Sequence, residues 1–135
     1  MKIEVRYFSR NGNTKKLAEA IASAVKTAAR STDEPVEERV DVMFLGSSVY
    51  AGRPDAQVTG FIRGNAQKIG RLVVFSTSAS GKSTHASISA VAEDCGVPVS
   101  EAWFHCPGAF LFLHRNRPNA EDCEKAAAFA RAQLE

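Results

Sequence analysis

Three stretches of this 135-residue chain concentrate residues able to do chemistry, and each follows a run that reads as a β-strand. The first is Ser9, Arg10, Asn11, Gly12, Asn13 and Thr14, with two hydroxyls, two amides and a glycine between a strand end and a helix start. Backbone N–H groups in such a turn converge on an anion at the positive end of the helix, so the stretch reads as a phosphate cradle. An ordinary capped strand-to-helix turn uses the same residue types. The second is Ser47, Ser48, Val49, Tyr50, Ala51 and Gly52, where an aromatic residue after a buried strand either stacks on a planar ligand or packs on the next helix. The third, Ser76, Thr77, Ser78, Ala79, Ser80 and Gly81, runs into Lys82 and Ser83 and shares a Gly-Lys-Ser ending with the nucleotide P-loop. Ser76 stands where that motif needs its first glycine, so nucleotide hydrolysis is set aside. The bland alternative is a polar loop in which Ser83 caps a helix.

Little else points to chemistry. His85, His105 and His114 have no metal-ligand spacing, and Cys106 beside His105 reads as a core thiol. Cys95, Cys106 and Cys123 are odd in number and lack a C-x-x-C pair, which fits a reducing compartment better than a disulfide framework. Seventeen basic against fifteen acidic residues, scattered along the chain, argue against a nucleic-acid partner. The amino terminus alternates charged and apolar residues, and no run approaches the roughly 18 apolar residues of a membrane span. The sequence therefore predicts a soluble, cytoplasmic protein, with the whole chain forming one domain.

These stretches need elements to hold them. Ile3, Val5 and Tyr7 share one face of a first strand that closes on Phe8, and Leu17, Ile21, Ala24 and Val25 recur at helical spacing just after the first stretch. A short second strand is placed at residues 26–30. Continuous apolar runs at residues 41–46 and 71–75 suit strands covered on both faces. Between them Pro54 and Asp55 start a helix bearing Val58, Phe61 and Ile62, with Gly64 as its stop. A third helix carries Thr84, Ile88, Val91, Ala92 and Cys95 before Gly96 and Pro98; a fifth strand is placed at residues 101–105. Asn119 caps a last helix whose inner face is Cys123, Ala126, Ala127, Ala130 and Leu134. Strands alternating with helices imply a parallel sheet with helices on both faces. Ligands then bind beyond the carboxyl ends of the strands, which singles out the loops at residues 9–14, 47–55 and 76–84.

Tyr7 to Lys16, YFSRNGNTKK, resembles the flavodoxin signature, a strand followed by T/S-x-T-G-N-T whose loop binds the phosphate of FMN. Leu45 to Arg53, LGSSVYAGR, is similar to the family's flavin loop after the third strand, where an aromatic residue stacks on the isoalloxazine. The resemblance covers nearly the whole chain and implies a flavodoxin-like α/β fold, three layers α/β/α around a five-stranded parallel sheet of order 2-1-3-4-5. It implies FMN as cofactor, with Tyr50 against the ring and residues 76–81 beside its pyrimidine edge. It also implies electron transfer with a redox partner protein or a small-molecule donor or acceptor. The alternatives are an FMN-dependent NAD(P)H or quinone reductase, and a flavodoxin-like module that has lost flavin. The chain departs from the pattern at Asn11, where the family usually has Thr, and at Ala51, where many members have Gly. Arg10, Arg53 and Lys82 put a cation in each loop, where flavodoxins are typically acidic; near the cofactor these charges would make the reduced, negatively charged flavin less disfavoured.

Overall fold

The computed structural model describes residues 1–10, 12–50, 53–78, 83–108 and 116–135, apart from the side chains of residues 49, 50 and 53. The chain runs β1 (Ile3–Phe8), α1 (Asn13–Ala24), β2 (Ala29–Ser31), β3 (Val42–Tyr50), β4 (Arg53–Pro54) and α2 (Ala56–Asn65). A 3-10 turn (Ala66–Lys68) leads into β5 (Leu72–Ser78), α3 (His85–Asp94), β6 (Val99–Pro107) and α4 (Ala120–Ala132). Five strands pair in parallel in the order β2-β1-β3-β5-β6, and β4 is a two-residue antiparallel addition to the end of β3. Leaving that addition aside, this is the doubly wound 2-1-3-4-5 order implied by the resemblance.

Successive side chains of a strand point to opposite faces, so the apolar runs of β3 and β5 feed two cores. Val42, Phe44, Val73 and Phe75 pack beneath Leu17 and Ile21 of α1 and Ala126 and Ala130 of α4. Met43, Leu45, Leu72 and Val74 pack beneath Val58 and Ile62 of α2 and Ile88 and Ala92 of α3. The same alternation sends Glu4 and Arg6 of β1 inward on the α2 side, where Arg6 is wholly buried. Its Nε donates to the Glu4 carboxylate at 2.8 Å, Nη1 to the carbonyls of Ser31 (3.1 Å) and Glu34 (2.5 Å), and Nη2 to that of Pro35 (3.1 Å). A buried cation survives only when paired and hydrogen-bonded, and here its partners are one carboxylate and the backbone of the β2–β3 connection.

Several boundaries differ from the sequence reading. Residues 26–28 are the exit from α1, not strand: Lys26 takes φ of +61° and the Thr27 amide donates back to the Ala22 carbonyl at 2.9 Å. The strand therefore begins at Ala29. Gly64 does not stop α2, which runs to Asn65; among the described residues only Gly12 and Gly96 take the positive φ that makes glycine a helix punctuator. β3 and β5 continue through polar Ser47–Tyr50 and Ser76–Ser78, because the ladder pairs Ser47 with Ser76 and Ser48 with Thr77. β6 likewise extends to residues on both sides of 101–105. The cap of α4 is as read, with Asn119 and Asp122 forming a capping box.

Gly46 sits across from Phe75 in the ladder, and a Cβ at Gly46 would lie 2.2 Å from the buried Phe75 ring. Overpacking of this kind costs about 1–3 kcal/mol. Gly46→Ala is expected to lower stability by that amount in urea denaturation, and adding Phe75→Leu should recover part of it. An unaltered midpoint in Gly46→Ala would show that the ring moves aside freely.

Candidate functional site

The carboxyl ends of β1, β3 and β5 lie side by side at one edge of the sheet, which brings the described residues of the three stretches, among them Ser9, Thr14, Ser48 and Thr77, to that edge. After β1 the Ser9 Oγ accepts from the Gly12 amide at 2.9 Å, closing a tight turn. Gly12 is the residue before α1 and takes φ of +89°, a left-handed conformation that glycine adopts without a Cβ penalty. Glycine brings no side chain to cap α1 from the N-cap position, and no acid lies in the helix's first turn. Asp55 and Asn119 cap α2 and α4 with their own side chains, whereas the Thr84 side chain at the start of α3 makes no capping bond. The positive end of α1 thus faces this edge without a side chain at its N-cap or an acid in its first turn, a geometry that suits an anion.

Thr14 turns its hydroxyl into the sheet. It is fully buried, with Oγ1 3.0 Å from Ser48 Oγ and 3.0 Å from Thr77 Oγ1. The first turn of α1 is thereby fastened to both β3 and β5. Three hydroxyls carry three protons and the two bonds use two of them, so one proton remains for a further acceptor. The sequence reading offered the Thr14 hydroxyl to phosphate; the structure gives it to this junction first. Asn13 lies close to the end of β6, where a Cβ on Gly108 would come within 2.9 Å of its Nδ2.

The opposite face of the same edge carries a second polar group. Ser76 Oγ lies 2.8 Å from Nδ1 of His105, its ladder neighbour on β6, and Ser78 Oγ lies 3.3 Å from Nε2. His105 is half-buried, and burial lowers its pKa below the ordinary 6.5. The neutral ring has one N–H and one lone pair, so one serine donates to it and the other accepts. Cys106 points the other way into the α1 and α4 core, where burial, followed by Asp122, pushes its thiol up to about 12. It is the inert core thiol read from sequence. Ser47 is fully buried and its hydroxyl has no partner among the described residues.

Arg10 does not project freely. Its Nη2 and Nε donate to Asp55 Oδ2 at 2.5 and 3.1 Å, and its guanidinium lies 5.8 Å from the centre of the Phe8 ring. Asp55 meanwhile caps α2 by accepting from the Gln57 amide at 2.9 Å. That amide first, and Arg10 second, hold the carboxyl below its usual range. Ser83 Oγ accepts from the His85 amide at 3.1 Å, which is the cap-like role its sequence position allowed. Asn11, Ala51, Gly52, Ala79, Ser80, Gly81, Lys82 and His114 lie outside the described residues, as do the side chains of Val49, Tyr50 and Arg53. Sequence reasoning missed Asp55 and His105. Asp55 was visible as a helix start, but its partner lies 45 residues away, and His105 meets its serines only through the β5–β6 register.

Residues 5–94 match the Flavodoxin_5 family, described as a flavodoxin domain. No curated protein is significantly similar in sequence. Among solved structures, flavodoxin 1 of Bacillus cereus superposes with a TM-score of 0.75 at 18% identity, covering 99% of this chain and 97% of its own. A flavoprotein of Lactobacillus acidophilus in complex with FMN gives 0.61 at 19% identity, over 77% of this chain and 92% of that one. Rubredoxin oxygen:oxidoreductase of Desulfovibrio gigas gives 0.71 at 15% identity, with 96% of this chain matching 34% of that one.

The His105 environment yields a pH signature. Folding lowers its pKa, so as pH falls the unfolded chain takes up the proton first. This contribution to stability is full above 6.5 and is lost as pH falls below it toward the lowered folded value. NMR titration of the imidazole is expected to give a midpoint below 6.5. His105→Gln should lose less stability between about pH 7 and 5 than the parent. A midpoint at or above 6.5 would contradict the burial argument.

Proposed function

The chain belongs to the flavodoxin domain family, and we propose that it binds FMN at the carboxyl edge of its sheet and serves in electron transfer. The observation that carries this reading is the start of α1. A left-handed Gly12, the Ser9 turn and a helix with no side chain at its N-cap and no acid in its first turn form a donor set suited to a dianionic phosphate. The residues present therefore fit the group. Ser9, Gly12, Asn13 and the helix amides would hold the phosphate, and the Thr14–Ser48–Thr77 junction would have one proton left to contribute. Tyr50, the last residue of β3, would stack on the ring, with the segment after β5 along the ring's edge.

When bound, FMN supplies the one- and two-electron chemistry. The chain's own part is to bind and orient: the hydroxyl junction fixes the anion site relative to β3 and β5, and two cores fix those strands. The partner in this reading is a redox protein or a small-molecule electron donor or acceptor. Among the described residues no helix is long and apolar enough to cross a membrane.

Charge-assisted hydrogen bonds contribute about 1.5–3 kcal/mol each, so two or more to the phosphate make riboflavin bind at least about a hundredfold more weakly than FMN. Fluorescence-quenching titration of the apoprotein checks this, and equal affinities would remove the phosphate site from residues 9–14. Tyr50→Ala is expected to weaken FMN by about 1–3 kcal/mol, the scale of aromatic stacking on a planar base. An unchanged dissociation constant would take Tyr50 out of the site. Rapid hydride transfer from NAD(P)H to the holoprotein would favour a reductase over a carrier.

A further inference from the structure

We propose that Asp55 is a positioning residue for the phosphate end of the ligand, acting through Arg10; this rests on the flavin reading above. Arg10 belongs to the β1–α1 turn, whereas Asp55 lies between β4 and α2, just past the segment that follows β3. Their ion pair, with two N–H donors on one carboxylate oxygen, is a tie between the first two loops of the site.

The two ends of the tie differ in freedom. Asp55 is fixed: its other oxygen caps α2, and its side chain is only 11% exposed. Arg10 is the exposed end, with 61% of its side chain accessible and its guanidinium over the Phe8 ring. An ion pair normally has to order two side chains, which is why most surface pairs contribute little. Here the capping bond has ordered one partner already.

The tie matters most to a ligand that uses both loops at once. FMN would place its phosphate in the Arg10 turn and its ring against the β3 end. With the loops held at one spacing, less ordering is left for binding to impose. Riboflavin, lacking the phosphate, engages the ring segment alone and gains little from the tie. Asp55 therefore raises the preference for the phosphorylated flavin without touching the phosphate. A direct role for Arg10 predicts the opposite sign at Asp55, since removing a competing carboxylate would free the guanidinium for the anion.

Asp55→Asn separates charge from cap, because asparagine caps helices about as well as aspartate. The test titrates apoprotein of the parent, Asp55→Asn, Arg10→Gln and the double variant with FMN and with riboflavin. It also follows amide hydrogen exchange at Gly12 and Asn13 without ligand. Each single variant is expected to lower the FMN-to-riboflavin affinity ratio by roughly two- to fivefold. The double variant should fall no further than the singles, and both amides should exchange faster at an unaltered unfolding midpoint. A ratio that is unchanged or raised in Asp55→Asn, additive single effects, or unaltered exchange would each overturn the proposal. Faster exchange in the variants, with a parent protein that takes up neither flavin, would support the tie and overturn the flavin reading instead.

Discussion

A single buried hydroxyl sets the geometry on which the rest of the site depends. Thr14 is in the first turn of α1, yet its Oγ1 bonds to Ser48 of β3 and Thr77 of β5. Strand order places β1 beside β3 and β3 beside β5, so this one side chain pins the helix start over the centre of the sheet. Leaving one such group unmade inside the protein costs about 1–3 kcal/mol. That penalty selects against other docking angles of α1. The helix terminus is aimed by the junction, and a mis-aimed terminus could not bring its amides onto an anion at this edge.

Charge is handled in the same local way. Arg6, Arg10 and Arg117 each find a fixed acceptor, in the backbone carbonyls around residues 31–35, the cap of α2 and the cap of α4 respectively. Two of these carboxylates, Asp55 and Asp122, serve a helix amide and a guanidinium together. Arg10 would favour a negatively charged reduced flavin if it stood alone, but its field is offset by Asp55 at 2.5 Å.

The fold was legible because its signals are local. All-apolar runs marked β3 and β5, Gly96 and Asn119 punctuated helices, and alternation of strands and helices implied a parallel sheet. Polar residues at strand ends were read as loop, since Ser and Thr favour turns when nothing pairs them. Here the neighbouring strand does pair them. The tight turn between β1 and α1, with Gly12 before the helix, was legible for the same local reason. The partners of Thr14, Arg10 and His105 were not, because they lie between 27 and 63 residues away and meet only once register is fixed.

The central claim is that a phosphorylated flavin sits at the carboxyl edge of the sheet with its phosphate at the start of α1. Amide chemical-shift mapping of the ligand-free protein during addition of FMN tests it most directly. The account predicts the largest shifts at Gly12, Asn13, Thr14 and Lys15, with a second group at the ends of β3 and β5, and riboflavin reproducing the second group alone. Saturating FMN that leaves the α1 amides unmoved, or that moves residues at the opposite, amino-terminal edge of the strands, would contradict it.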